Sequence, residues 1–310
     1  MTASVLRSVA RSAALLALVV LSGCDADPSA WTDQPLRPAS TPSFREASGT
    51  LAAYFFDVGQ GDATLLAGPD FTIVIDAGRH DRRDVVPHLR EAGVESIDLL
   101  IGTHPHADHI GQFPQILEAF SVAEVWMSGE PHTTRTFERA LDAILDSGAA
   151  YHEPRAGEVY DIGSARVEVL NPVHLSGNLH DSCVGVRISF GHVAFVFTGD
   201  AEVATERAMI ERGHVLAAQI LHLGHHGSRT SSTMEFLHAV GPEVAIYSAG
   251  EGNSYGHPHE GVVQRIASMG IALYGTDQHG TIRVLTDGSS YRVSAERGAV
   301  VATRARAPTY

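Results

Sequence analysis

The sequence predicts a layered α/β domain in which two sheets pack face to face and helices cover their outer sides. Three observations lead there. Short apolar runs bounded by Gly, Pro and Asp recur from residue 51 to residue 286 and read as strands. Segments of helical spacing lie between them. Histidines and carboxylates gather where apolar runs end, most densely in Thr103-His104-Pro105-His106-Ala107-Asp108-His109. The roughly 260 residues that follow the N-terminal segments suffice for one domain with a sizeable core.

At the N-terminus, Arg7 and Arg11 precede the apolar run Ala13–Leu21, and Leu21-Ser22-Gly23-Cys24 follows. A basic region, a short apolar region and small residues form a secretory signal over residues 1–24. The apolar run is about half the ~20 residues a membrane-spanning helix needs. LSGC resembles the bacterial lipobox, which implies a lipid on Cys24 and an exported protein held by it to a membrane. Residues 25–48 carry Pro28, Pro35, Pro38 and Pro42 among small polar residues and read as a flexible tether. The folded domain is placed at 49–294 and a C-terminal tail at 295–310.

Within the domain, Leu51–Asp57, Ala63–Ala67 and Phe71–Ile75 are short strands split by GQGD and GPD turns. A helix is expected over Arg83–Glu91, then a buried strand over 97–101, a helix over about 109–119, a strand near 122–127 and a helix over 134–147. Val167–Leu170, Ser182–Phe190 and Val193–Thr198 read as strands, the last two joined by a Gly191-His192 hairpin. Helices follow at Glu202–Arg212, Ser231–Ala239 and Glu260–Ser268, with strands at 216–222, 243–248, 271–274 and 281–286. Cys183 is alone in a strand-like run and reads as a buried structural thiol.

The chemistry concentrates in residues 103–109. His104 and His106 are two apart, so on an extended segment both leave on one face, while Asp108 and His109 turn elsewhere. One loop thus offers two ligand pairs to two neighbouring points, which suits a pair of divalent cations. Neutral imidazole with carboxylate suits Zn²⁺, and also Mn²⁺ or Fe. Asp200 ends an apolar strand, where a carboxylate either caps the following helix or binds something. His225 and His226 are adjacent and do not easily share one cation, so one binds and its neighbour orients it or faces substrate. His257 sits before Pro258, as a turn residue or a further polar group at the site.

The stretches FFDVGQGDATLL (55–66), DAG (76–78), THPHADH (103–109), FTGD (197–200), LGHHGS (223–228) and NSYGHP (253–258) resemble, in that order, the metallo-hydrolase domain of ComEC-type competence proteins. That domain lies within the metallo-β-lactamase superfamily. The resemblance implies a four-layer αββα sandwich, with two metals at one edge between the sheets and Asp200 bridging them. The implied ligands are His104, His106, Asp108, His109, Asp200 and His225. Asp181 or His180 stands where many members carry a further histidine. Asp57, Asp62 and Asp76 are expected around the ligands, accepting hydrogen bonds and fixing geometry.

Two cations lower the pKa of a water between them and hold it in line with an electrophile. Asp108 would accept a hydrogen bond from that nucleophile, and His226 or His257 would donate to the charge developing on the substrate. The expected activity is metal-dependent hydrolysis of a phosphodiester. Hydrolysis of an ester, lactone or lactam, and a binding protein with little turnover, are the alternatives. The chain has no lysine and a net charge of −14, or −16 once Arg7 and Arg11 leave with the signal. Proteins that hold long nucleic acid carry a basic footprint. A small or short substrate is therefore expected, and grip on long DNA only with a partner protein.

Overall fold

The computed structural model describes residues 49–298 and the strand at 301–303. The signal and tether read over 1–48 lie outside the described residues. Among the described residues, no helix is long and apolar enough to cross a membrane.

The first half runs β1 (Leu51–Phe55), β2 (Thr64–Ala67), β3 (Thr72–Ile75), α1 (Val85–Glu91), β4 (Ser96–Gly102), α2 (Phe113–Ala119), β5 (Ser121–Met127), α3 (Arg135–Ser147) and β6 (Ala150–His152). The second runs β7 (Val159–Ile162), β8 (Ala165–Asn171), β9 (Gly185–Phe190), β10 (Val193–Phe197), α4 (Val203–Glu211), β11 (Ile220–His222), α5 (Met234–Val240) and β12 (Val244–Tyr247). It ends with α6 (Glu260–Ser268), β13 (Ala272–Gly275) and the short α7 (Thr276–His279). Then β14 (Ile282–Thr286), β15 (Tyr291–Ala295) and β16 (Val301–Thr303) return to the first sheet. That sheet has nine strands in the order β16-β15-β14-β1-β2-β3-β4-β5-β6, and the other seven in the order β13-β12-β11-β10-β9-β8-β7.

Strand periodicity explains the layering. In β3, Ile73 and Ile75 enter the core between the sheets, whereas Val74 enters the cluster beneath the helices. In β4, Leu99 and Ile101 point inward and Leu100 outward. In β10, Phe195 and Phe197 point inward and Ala194 and Val196 outward. Both faces are covered, so these strands read as continuous apolar runs. Val85, Leu89, Phe113, Ile116 and Ile144 bring α1, α2 and α3 onto the first sheet. Met209, Phe236, Leu237, Val262 and Ile266 bring α4, α5 and α6 onto the second. The result is the expected αββα sandwich.

Some expected boundaries move. The helix read over 109–119 starts only at Phe113, because the backbone before it bonds elsewhere. The amide of Ala77 donates to the His109 carbonyl and that of Gly111 to the Gly78 carbonyl, so residues 107–112 form a loop pinned to the 76–80 loop. Of the strand read over 216–222, only Ile220–His222 pairs. The edge strands β6 and β7 are short and half exposed, and carry no apolar run to announce them. The first sheet continues past residue 294: β15 ends at Ala295 and β16 pairs with it, so the domain extends into the segment read as a tail. Cys183 is buried, as expected of a structural thiol.

Candidate metal centre

Strands β3, β4 and β5 run parallel in one sheet, and β10, β11, β12 and β13 in the other. The loops that leave their C-terminal ends carry Asp76, His104 to His109, Asp200, and His225 with His226. Crevices at such strand ends are where α/β proteins bind ligands. Close approach between loops at this edge requires glycine at two points. Gly199 has φ +52°, and a Cβ on it would stand 2.7 Å from the Cβ of Thr103. Gly61 has φ +145°, and a Cβ there would stand 2.5 Å from the Asp108 carbonyl oxygen. Asp76, His225 and His226 adopt left-handed backbone at φ 59°, 50° and 55°. For non-glycine residues this costs about 1–3 kcal/mol each, and such strain collects at functional sites.

Two groups of donors share Asp200. In one, His104, His106, His180 and Asp200 offer ligand atoms within 4.8 Å of one another. His104 Nε2 lies 3.5 Å from Asp200 Oδ2 and 2.8 Å from His106 Nδ1. In the other, Asp62, His109, Asp200 and His226 converge in the same way, all buried. His109 Nε2 is 3.4 Å and His226 Nε2 3.7 Å from Asp200 Oδ1. Asp108 Oδ2 joins them, 3.5 Å from His226 Nε2. Donors held at 2.0–2.2 Å around one tetrahedral cation stand roughly 3.3–3.6 Å apart. The two oxygens of Asp200 thus face different groups, Oδ2 the first and Oδ1 the second.

The far nitrogens of these imidazoles are fixed. His109 Nδ1 lies 2.8 Å from Asp76 Oδ2, and Asp76 also accepts the Thr103 amide and hydroxyl, each at 2.8 Å. His226 Nδ1 is 3.0 Å from the Ser248 carbonyl oxygen. Each ring therefore donates from Nδ1 and keeps its Nε2 on the side of Asp200. Asp62 approaches from behind, with Oδ1 3.4 Å from His226 Nδ1 and Oδ2 3.8 Å from His109 Nδ1. It touches the outer edges of the rings rather than the space between their Nε2 atoms, which leaves Asp108 as the carboxylate on the cation side.

Burial alone would strip the charge from His109, yet Asp200 and Asp76 outweigh it and hold this imidazole well above its ordinary pKa. Burial likewise opposes charge on His226, and Asp62 and Asp200 overcome it. His104 is pushed well below its ordinary value by burial, with His109 adding to the effect. Burial would raise Asp200, but His109, His226 and His104 hold it well below the usual carboxylate range. The carboxylates thus demand positive charge at the point where imidazole Nε2 atoms converge. His109 Nε2, His226 Nε2 and Asp200 Oδ1 are buried without a hydrogen-bond partner. Buried polar atoms rarely stay unpaired, and a pair of divalent cations fits this donor set, releasing protons as it binds.

The structure brings together His104, His106, Asp108, His109 and Asp200, and places Asp181, His226 and His225 otherwise than expected. Asp181 turns its Oδ1 to the Thr205 hydroxyl at 3.1 Å and does not join the donors; His180 takes that place. His226, expected to face substrate, is the buried imidazole of the second group. His225 is half-buried, with Nε2 3.7 Å from Asp200 Oδ2 and Nδ1 turned outward. His257 lies at the mouth, its ring centroid 5.7 Å from that of His225, and burial together with His226 and His225 pulls its pKa down to about 4. Asp57 shapes its loop by accepting the Gly59 amide at 3.2 Å. His222, buried and 3.0 Å from the Ser248 hydroxyl, was not expected; the only sequence signal is a histidine inside the apolar triplet Leu221-His222-Leu223.

Comparison with known proteins agrees with this geometry. Residues 56–251 match the model of the metallo-β-lactamase superfamily. The chain is 30% identical over 247 residues to ComE operon protein 3 of Bacillus subtilis, covering 73% of this chain and 32% of that protein. It is 32% identical over 253 residues to competence protein ComA of Neisseria gonorrhoeae, covering 80% of this chain and 33% of that protein. The chain thus spans about a third of the length of these curated relatives. Igni18, a metallo hydrolase from the archaeon Ignicoccus hospitalis, shares the fold at a TM-score of 0.53 and 16% identity, over 76% of this chain and 98% of that one. The chain belongs to the metallo-β-lactamase superfamily and is a hydrolase of that fold, with His/Asp clusters suited to a dimetal site.

Proposed function

We propose that the protein is an exported phosphodiesterase that uses two divalent cations, zinc or manganese, on small or short substrates. The observation that carries the reading is the pair of donor groups sharing Asp200, in a chain similar to competence proteins over most of its length. When bound, the cations supply an acidified water and polarise the phosphoryl oxygens. His104, His106, His180 and Asp200 would hold one, and Asp108, His109, Asp200 and His226 the other. Asp108 is the partly exposed member of its group and would accept a hydrogen bond from the attacking water. His257 is held neutral and its Nδ1 has no partner. A neutral imidazole still carries one N–H, which His257 would direct to the charge developing on the phosphoryl oxygen.

The test is turnover of bis-p-nitrophenyl phosphate beside p-nitrophenyl acetate, before and after metal removal. Metal-dependent release from the phosphodiester is expected; turnover of the acetate alone would replace this reading with acyl hydrolysis. Charge sets the size limit. With 22 basic and 36 acidic residues, little counterion release rewards a long polyanion. A dinucleotide-sized ester is expected to be cleaved faster than plasmid DNA, with the plasmid disfavoured most at low salt. Plasmid cleavage that is efficient at low salt and inhibited by added salt would reveal a basic groove.

Placement on a membrane is a separate proposal resting on LSGC at residues 21–24. One acyl chain anchors only marginally and two or more hold stably. Cys24→Ser is expected to move the protein from the membrane to the soluble fraction. Unchanged membrane association would remove the lipoprotein reading.

A further inference from the structure

Outside the two inner groups, a third set of donors meets at the rim. Glu202 precedes α4, and its side chain makes no capping bond to that helix. Its Oε1 stands 3.6 Å from His180 Nδ1 and 3.5 Å from His225 Nδ1. The two imidazole centroids are 4.7 Å apart. Hydrogen bonds to nitrogen are shorter than these separations, at about 2.7–3.2 Å. They fall at the spacing of donors around a single cation. The three side chains are 24%, 34% and 21% exposed, so an ion reaches them without opening the core. The Thr230 hydroxyl, 3.2 Å from His225 Nδ1, is the neighbour such an ion would displace or recruit.

We propose that His180, Glu202 and His225 form a third, weaker cation site that competes with the inner centre. The inference rests on the dimetal reading of that centre. Competition follows from two shared features. His180 belongs to both the outer group and the first inner group, and cannot serve both through one lone pair. His225 turns Nε2 to Asp200 Oδ2 at 3.7 Å, the oxygen that also faces His104 Nε2 at 3.5 Å. An imidazole that gives its Nδ1 lone pair to an outer ion keeps its proton on Nε2. His225 then presents that proton to the Asp200 oxygen an inner cation requires. Excess metal therefore loosens the first inner position, and the rim acts as a brake.

The experiment is equilibrium dialysis of the full chain against increasing Zn²⁺, with metal analysis, for the wild type, Glu202→Gln and Glu202→Ala. The wild type should show two tight equivalents and one weaker one. Both variants should keep the two tight equivalents and weaken the third at least about tenfold, the lower bound for losing a supporting partner. They should also resist inhibition by excess Zn²⁺. A variant that loses a tight cation and keeps the weak one would overturn the proposal, because Glu202 would then orient the inner histidines. A wild type that stops at two equivalents would overturn it as well. A chain with no tight equivalents and a single weak one that depends on Glu202 would remove the dimetal reading and leave the outer site standing.

Discussion

Asp200→Ala is expected to remove both cations and to lower kcat/KM on a phosphodiester at least about 10³-fold. The size follows from losing several kcal/mol of transition-state charge stabilisation, at 1.36 kcal/mol per factor of ten. The reason is the division of its oxygens. Oδ2 faces His104 and His225, Oδ1 faces His109 and His226, and among the described residues Asp200 is the carboxylate that belongs to both inner groups. His104→Ala should weaken mainly the first position and leave close to one equivalent bound. Metal analysis of the dialysed variants separates these results. Small, equal losses from both substitutions would mean that Asp200 is not shared.

Chelation is expected to lower the melting temperature by roughly 15 °C or more. A cation at a thousand times its Kd stabilises the folded state by about 4 kcal/mol, and two positions roughly double that. For a domain of this size each kcal/mol moves Tm by about 2–4 °C. The released state also keeps Asp62, Asp76 and Asp200 buried together, with the charge on His109 and His226 held beside them. Calorimetry with and without chelator reads the shift, and restoring the metal should recover it. A shift of a few degrees would mean that the protein holds its cations weakly or not at all.

The parts of the centre that could be read from sequence are those where strand periodicity meets an abrupt polar residue. Leu99, Leu100 and Ile101 leading to His104, and Val196 and Phe197 leading to Asp200, announce strand ends with ligands attached. The directions of His225 and His226 could not be read. Both have left-handed backbone, φ 50° and 55°, and neither helical nor strand alternation assigns their faces. Asp62 was legible as a residue near the site but not as the carboxylate behind two imidazoles, since that depends on how the GQGD turn packs against the Asp108 carbonyl. His180 and Asp181 are neighbours in one loop. What separates them is the Thr205 hydroxyl, a contact that arises only when α4 docks. The expected helix start at 109 failed for a related reason, as backbone groups there found partners on the 76–80 loop.

The return of the last strands to the first sheet dictates an order of assembly. β1 pairs with β2 on one side, but its other edge is covered only by β14, with Leu51 opposite Thr286. As the chain is synthesised, β1 to β6 exist long before residues 282–286 do. Through that interval the outer edge of β1 offers unpaired amides and carbonyls to any neighbouring strand. Closure across nearly the whole domain is slow, because loop entropy is spent before the contact rewards it. The nascent chain thus passes through a stage in which a strand from a second copy can occupy the place of β14, and crowded synthesis favours that exchange.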